Sequence, residues 1–230
     1  MAESASAQPH PGPPRLSHDE LVAAQKQTLS APRRKYGLAA RALFLTLDVV
    51  YGKPRTMAKF KVLEIVARVP YQTWEHVAYI AVTHVHQSIG FAKRIQDRIV
   101  EARTQQDNEL WHLLILQDLI IREGVRESQL KFFWLPQLIA FGYYQFSWLL
   151  YVVNPIWSYA LNADFEDHAE HEYMEWVADN PAWETQPVDS DFEEEYGVFE
   201  SVADVFRQIG HDERVHKEES ISDMEKPRFN

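Results

Sequence analysis

Two residue pairs in this sequence have the spacing of a metal half-site. Of its 21 glutamates, only Glu109 and Glu213 are followed three positions later by a histidine, His112 and His216. On a helix, positions i and i+3 share a face, so each pair can reach one ion. Both pairs fall in long stretches of helical periodicity. Two further glutamates sit in apolar helical surroundings: Glu64, within Val62-Leu63-Glu64-Ile65-Val66, and Glu166, directly after Phe165. Glu64 and Glu109 are 45 positions apart, and Glu166 and Glu213 are 47 apart. The second half of the chain thus repeats the first: a helix with a glutamate, then a helix with Glu-x-x-His.

The donor types decide the chemistry. There is no cysteine, which excludes thiolate zinc, iron–sulfur clusters and a cysteine nucleophile. Any metal must be held by histidine and carboxylate. Four carboxylates cannot stay charged and unpaired inside an apolar bundle, whereas two divalent cations would supply the compensating charges. One imidazole per ion leaves a hard, oxygen-rich shell with open positions. That suits iron or manganese and oxygen chemistry better than structural zinc, and it matches the ligand set of helical bundles with a carboxylate-bridged ion pair. Rival residues are weaker. Glu75 and Glu101 lie in helical stretches, but neither has a histidine three positions on. His84 and His86 differ by two, so they point to different faces and read as surface residues. His168 is two positions from Glu166 and faces away from it; with His171 it reads as an outer-face hydrogen-bonding group.

An all-α chain would position these residues. Periodicity gives six helices at about 38–51, 56–86, 88–123, 130–152, 156–179 and 198–219. Gly52-Lys53-Pro54 and Ser88-Ile89-Gly90 separate the first three. Asn154-Pro155 opens the fifth, with proline where its missing N–H costs little. Pro70 should kink the second. Residues 181–197 read as an acidic, solvated loop without chemistry. The expected architecture is a ferritin-like four-helix bundle holding a di-iron centre, plus two apolar interfacial helices. Residues 1–35 read as a flexible N-terminal tail, 36–219 as the di-iron helical domain and 220–230 as a flexible C-terminal tail.

Composition narrows the partners. The 230 residues carry a net charge of -11, the wrong sign for a general nucleic-acid binder. With 8 glycines and no Gly-rich phosphate loop, a nucleotide-binding sheet is disfavoured. The N-terminus has neither a cationic start with an apolar core nor an Arg-rich, acid-poor character, so no signal or transit peptide is read there. No apolar run reaches the length of a spanning helix. Two segments are still unusually apolar. One is 38–51, where Leu38, Ala42, Leu45 and Val49 form a stripe; the other is 132–161, rich in Phe, Tyr and Trp, with Arg126 and Lys131 at one end. Each reads either as a buried core helix or as a helix lying in one membrane leaflet.

The quoted residues resemble the alternative oxidase family, the di-iron quinol oxidases that include plastid terminal oxidases. Leu63-Glu64-Ile65-Val66-Ala67-Arg68-Val69-Pro70 is similar to the family's first motif, a glutamate followed at six residues by proline. Asn108-Glu109-Leu110-Trp111-His112-Leu113 is similar to its second. Phe165 to Tyr173 matches the third in register, including the tyrosine seven residues after the glutamate, and Asp212-Glu213-Arg214-Val215-His216 matches the fourth. The resemblance spans about residues 38–219. It implies ligation of two Fe ions, with Mn possible, by Glu64, Glu109, His112, Glu166, Glu213 and His216. It implies a redox or hydrogen-bonding role for Tyr173, and places Asp212 and Asn108 as partners that orient the histidines. It further implies a homodimer lying on one leaflet through the first and fourth helices.

Departures from the pattern gather, on this reading, around the organic substrate. Lys59 stands where the respiratory members carry arginine, Glu172 where they carry a small hydroxyl residue, and Tyr71 where glycine is usual. Lys59 and Glu172 are therefore the candidate substrate-binding residues. The expected function is a non-proton-pumping quinol oxidase that reduces O2 to water, on the cytoplasmic face of a bacterial membrane. The alternative is a di-iron oxygenase acting on a small lipophilic metabolite with an external reductase.

Overall fold

Polar side chains cap the starts of three of the helices that carry the candidate residues. The computed structural model describes residues 12–229, and among them the chain is all-helical with no strand. The helices are α1 (His18–Ser30), α2 (Leu38–Tyr51), α3 (Met57–Ala67), α4 (Val69–Val85), α5 (Ile89–Arg122), α6 (Leu135–Val153), α7 (Pro155–Asp179), α8 (Glu193–Tyr196) and α9 (Val202–Asp223). A π-helical turn, Leu130–Trp134, leads into α6, and a 3₁₀ turn, Pro181–Glu184, follows α7. Thr56 Oγ1 accepts the Lys59 N–H at the start of α3, at 3.2 Å. Ser201 Oγ does the same for the Asp204 N–H at the start of α9, and Asn154 Oδ1 caps α7 ahead of Pro155.

The stretch expected as one kinked helix over 56–86 is two helices parted at Arg68. Pro70 has no N–H for the Val66 carbonyl and its ring crowds that carbonyl, so the break falls within the preceding turn. α3 and α4 lie along α5, and α7 lies along α9, so the four glutamate-bearing helices form two packed pairs. Val62, Val66, Leu116, Phe165, Phe206 and Ile209 fill the space between them. Each such buried side chain contributes roughly 1.5–3 kcal/mol. α7 and α9 pack tightly at Gly210, where a Cβ would stand 3.2 Å from the Tyr173 Cβ.

Three expectations change. First, residues 18–30 are not tail but helix α1. Ser17 and Glu20 close a capping box, Ser17 N–H donating to Glu20 Oε2 at 2.8 Å. Leu21 and Ala24 are buried, Gln25 Nε2 donates to the Met174 carbonyl and Thr28 Oγ1 to Glu170 Oε1. The helix docks through polar as well as apolar groups, which hydropathy does not register. Residues 31–35 of that tail reading also dock on α7, through Arg33 and Arg34, and residues 1–11 lie outside the described residues. At the other end, α9 continues to Asp223 with Ser220 buried, so any C-terminal tail starts later than 220. Second, 181–197 is not an inert loop: Glu184 pairs with Arg207, and Tyr196 is buried. Third, the core-helix alternative for the apolar segments fails on their outer faces. On α2, Leu38 is 85% and Val49 76% exposed, and on α6 Phe141 is 70% exposed. Among the described residues no helix is long and apolar enough to cross a membrane.

Candidate metal centre

Six side chains from four helices meet in the core: Glu64 from α3, Glu109 and His112 from α5, Glu166 from α7, and Glu213 and His216 from α9. All are fully buried. They form two overlapping groups, Glu64, Glu109, His112 and Glu213, and Glu109, Glu166, Glu213 and His216; within each, one donor atom per residue lies within 4.8 Å of the others. Glu109 and Glu213 belong to both groups, so they can serve two ions at once. His112 Nδ1 stands 3.4 Å from Glu64 Oε2 and 3.3 Å from Glu213 Oε1. His216 Nδ1 stands 2.8 Å from Glu109 Oε1.

The donor set fits divalent cations on its own chemistry. Among the described residues, Glu64 Oε2, both oxygens of Glu109, Glu166 Oε2, Glu213 Oε2 and the Nδ1 atoms of both histidines are buried without a well-aligned hydrogen bond, although several lie within ion-pair distance of one another. Leaving so many buried acceptors unsatisfied would be costly unless something else satisfies them. Burial, and then the charge of Glu213, push the carboxyls of Glu64 and Glu166 well above the usual carboxylate range. Burial alone would raise Glu213 too, but His112 and His216 outweigh it and hold that carboxyl low. Cations at this position would relieve the mutual repulsion.

The surroundings of the six residues divide unequally. Asp212 holds the outer nitrogen of His112, which donates from Nε2 to Asp212 Oδ2 at 3.2 Å. The same carboxylate accepts from Asn108 Nδ2, Tyr196 Oη and, through Oδ1, Gln208 Nε2. Asp212 and Asn108 therefore serve His112, whereas His216 Nε2 has no hydrogen-bond partner among the described residues. Tyr173 is buried against Phe60 and donates its hydroxyl to Glu64 Oε1. Tyr71 donates to Glu166 Oε1 at 2.6 Å and accepts from Asn162 Nδ2. This corrects the expectation that the departure at Tyr71 belongs to the organic substrate: its hydroxyl reaches the carboxylate cluster. Residue spacing gave no sign of Tyr71, Asn162 or Tyr196, because their partners lie 16 to 95 positions away.

Lys59 and Glu172 do share a cavity, of about 580 Å³, with Asp48, Arg55, His168 and Trp176. Both are ion-paired: Lys59 Nζ lies 2.7 Å from Asp48 Oδ1, and Glu172 accepts from Arg33 and Arg55. The histidines set aside in the sequence stay outside the centre. His84 and His86 are exposed. His168 stacks on Phe44 and accepts from Arg33 Nη1. His171 bonds the Asp167 carbonyl. Asp167, Glu170 and His171 also cluster, but Lys217 lies against both carboxylates and Arg214 bonds Glu170, so that cluster is an ion-pair network. Glu75 pairs with Arg103 and Glu101 with Arg98, away from the centre.

The chain matches the family model described as Alternative oxidase over residues 25–222. A curated relative, Ubiquinol oxidase 4, chloroplastic/chromoplastic, from Arabidopsis thaliana, is 35% identical over 131 residues, covering 57% of this chain. The matched stretch spans about a third of that relative's length, 34%.

Proposed function

The chain belongs to the alternative oxidase family, and we propose that it is a di-iron quinol oxidase, taking electrons from a membrane hydroquinone to reduce O2 to water. The observation that carries this reading is the pair of overlapping donor groups sharing Glu109 and Glu213. Two ions held by Glu64, Glu109, His112, Glu166, Glu213 and His216 would supply the binding and reduction of dioxygen; iron is the ion proposed, and manganese suits the same donors. Two hydroquinones give four electrons and four protons to one O2, yielding two quinones and two waters, with no proton pumping required.

The protein's own groups do the rest. Asp212 fixes the tautomer and tilt of His112 through its outer nitrogen. Tyr173 keeps its proton, because burial and then the charge of Glu64 push the phenol well above its usual range. It is thus a neutral donor in contact with Glu64, placed to pass an electron and a proton together. The cavity at Lys59 and Glu172 receives the reductant, and the exposed apolar faces of α2 and α6 enter one leaflet of the membrane, the chain pairing as a homodimer. The test is quinol-dependent oxygen uptake by purified, iron-loaded protein. No uptake with any quinol at full metal load rejects the proposal.

The departures from the family pattern at Lys59 and Glu172, which line one cavity, motivate a second reading, a di-iron oxygenase acting on a small lipophilic metabolite with a separate reductase. Labelled dioxygen separates the two: label in an organic product supports the oxygenase, and label only in water supports the oxidase.

A further inference from the structure

A second cavity, of about 300 Å³, opens on the opposite edge of α3 from Lys59 and lies between α3, the end of α5 and the π-helical turn before α6. Its lining is largely apolar, with a polar group at its floor, Lys61, Gln117 and Glu127, and with Ser128, Gln129 and Gln137 also facing it. Lys61, nearly fully buried, places Nζ 2.5 Å from Glu127 Oε2 and 3.1 Å from Gln117 Oε1. Glu127 Oε1 is buried with no hydrogen-bond partner among the described residues. Ile65, Leu113 and Phe132 form the walls. Phe133, half exposed, stands at the mouth, and Trp134 and Leu138 continue outward as exposed apolar surface at 60% and 68%.

We propose that this cavity is a binding site for an amphiphilic phenol or hydroquinone, the ring seated on Lys61 and Glu127 and the alkyl tail leaving past Phe133. The floor has no net charge, since Lys61 and Glu127 neutralise each other. An anionic headgroup would have to displace Glu127 from a buried partner, which is costly. A neutral hydroxyl instead donates to Glu127 Oε1 and accepts from Lys61 Nζ. A cavity of this size takes one aromatic ring, and apolar walls with a few convergent polar atoms are the usual make-up of such a site. π-helical turns also recur at functional sites. The site rests on the oxidase reading for its meaning. Ile65 and Leu113 each adjoin a residue of the centre, Glu64 and His112, and each O2 needs two hydroquinones. A chain with this cavity and the one at Lys59 has room for both donors.

The test uses the full chain, free of added metal, and a 4-octylphenol carrying a photoreactive diazirine in its tail. Labelled peptides are mapped by mass spectrometry. The expected result is labelling within residues 113–117 and 128–137, suppressed by excess plain 4-octylphenol. It should fall at least tenfold in the paired, charge-neutral variant Lys61→Met with Glu127→Gln. It should fall equally in Ser128→Phe, which fills the mouth and leaves the ion pair intact. Labelling confined to the outer faces of α2 and α6, or unchanged in both variants, overturns the proposal. Because labelling needs neither iron nor turnover, its failure is distinct from failure of quinol-dependent oxygen uptake.

Discussion

The hydroxyl of Tyr71 donates to Glu166 Oε1 at 2.6 Å, and that of Tyr173 donates to Glu64 Oε1 from the other side of the centre. Glu64 and Glu166 are the two glutamates without a histidine on their own helix. Each half of the centre thus has one paired Glu-x-x-His, one lone glutamate and one buried phenol. The phenol of Tyr173 could be anticipated from its position within the third motif; that of Tyr71 could not.

Tyr71→Phe removes one hydrogen bond to a carboxylate and leaves the ring, which packs edge-on against Trp74 and His216. The fold should survive with a loss of about 1–2 kcal/mol, since Asn162 keeps its bond to Ser220. Glu166 should become easier to misplace, so affinity for the second ion should fall roughly tenfold while the first is retained. Metal titration of the two proteins, read beside thermal unfolding, checks this. Equal affinities would mean that Tyr71 only fills space.

Glu109→Ala should lower the metal content from about two ions per chain to one or none, because this carboxylate belongs to both donor groups. Glu64→Ala, in one group only, should retain about one. Elemental analysis of both variants beside the wild type distinguishes shared from terminal ligands. Identical losses would contradict the overlap seen in the structure.

Four of the six residues that converge were legible from helical spacing, because Glu109 with His112 and Glu213 with His216 are local and local spacing survives folding; Glu64 and Glu166 stood out only as charges in apolar helical surroundings. α2 and the ends of α5 and α7 were legible for the same reason, with Gly52, Ser88 and Asn180 marking boundaries. What stayed hidden depends on partners distant in the chain. α1 presents few apolar residues, and its attachment runs through Gln25, Thr28 and Arg214 to α7 and α9. Tyr196 lies in a stretch whose acidic composition reads as solvated, yet it bonds Asp212. Exposure of the α2 stripe was equally out of reach, because periodicity shows that a face is apolar but not what covers it.

Gly210→Ala should cost about 1–3 kcal/mol, the usual penalty for overpacking a tight contact. The added Cβ would meet Met174 Cε at 3.0 Å and Tyr173 Cβ at 3.2 Å; the methionine tip can move, the tyrosine Cβ cannot without shifting α7. Denaturant unfolding measures the cost. A neutral outcome would show that the α7 and α9 contact has slack, and metal content should then also be unchanged.

His168 gives stability a defined pH dependence. Burial, with a smaller contribution from Arg33 and against the pull of Glu172, pushes its pKa down to about 4. The neutral ring is also what the geometry needs, because Arg33 donates to Nδ1 and the ring lies 4.0 Å from Phe44. In the unfolded chain the same imidazole titrates near 6.5. Between those values the unfolded state binds more protons than the folded one, so this contribution is fully present above about 6.5 and is lost as pH falls toward 4. The loss approaches about 3 kcal/mol as an upper bound. It should appear first as loosening of α2, which Phe44 ties to α7. Hydrogen exchange of α2 amides at pH 7 and pH 5 reads it directly, and His168→Gln should flatten the difference. Equal protection at both pH values in the wild-type protein would show that the ring stays neutral, or that its protonation is absorbed by Glu172.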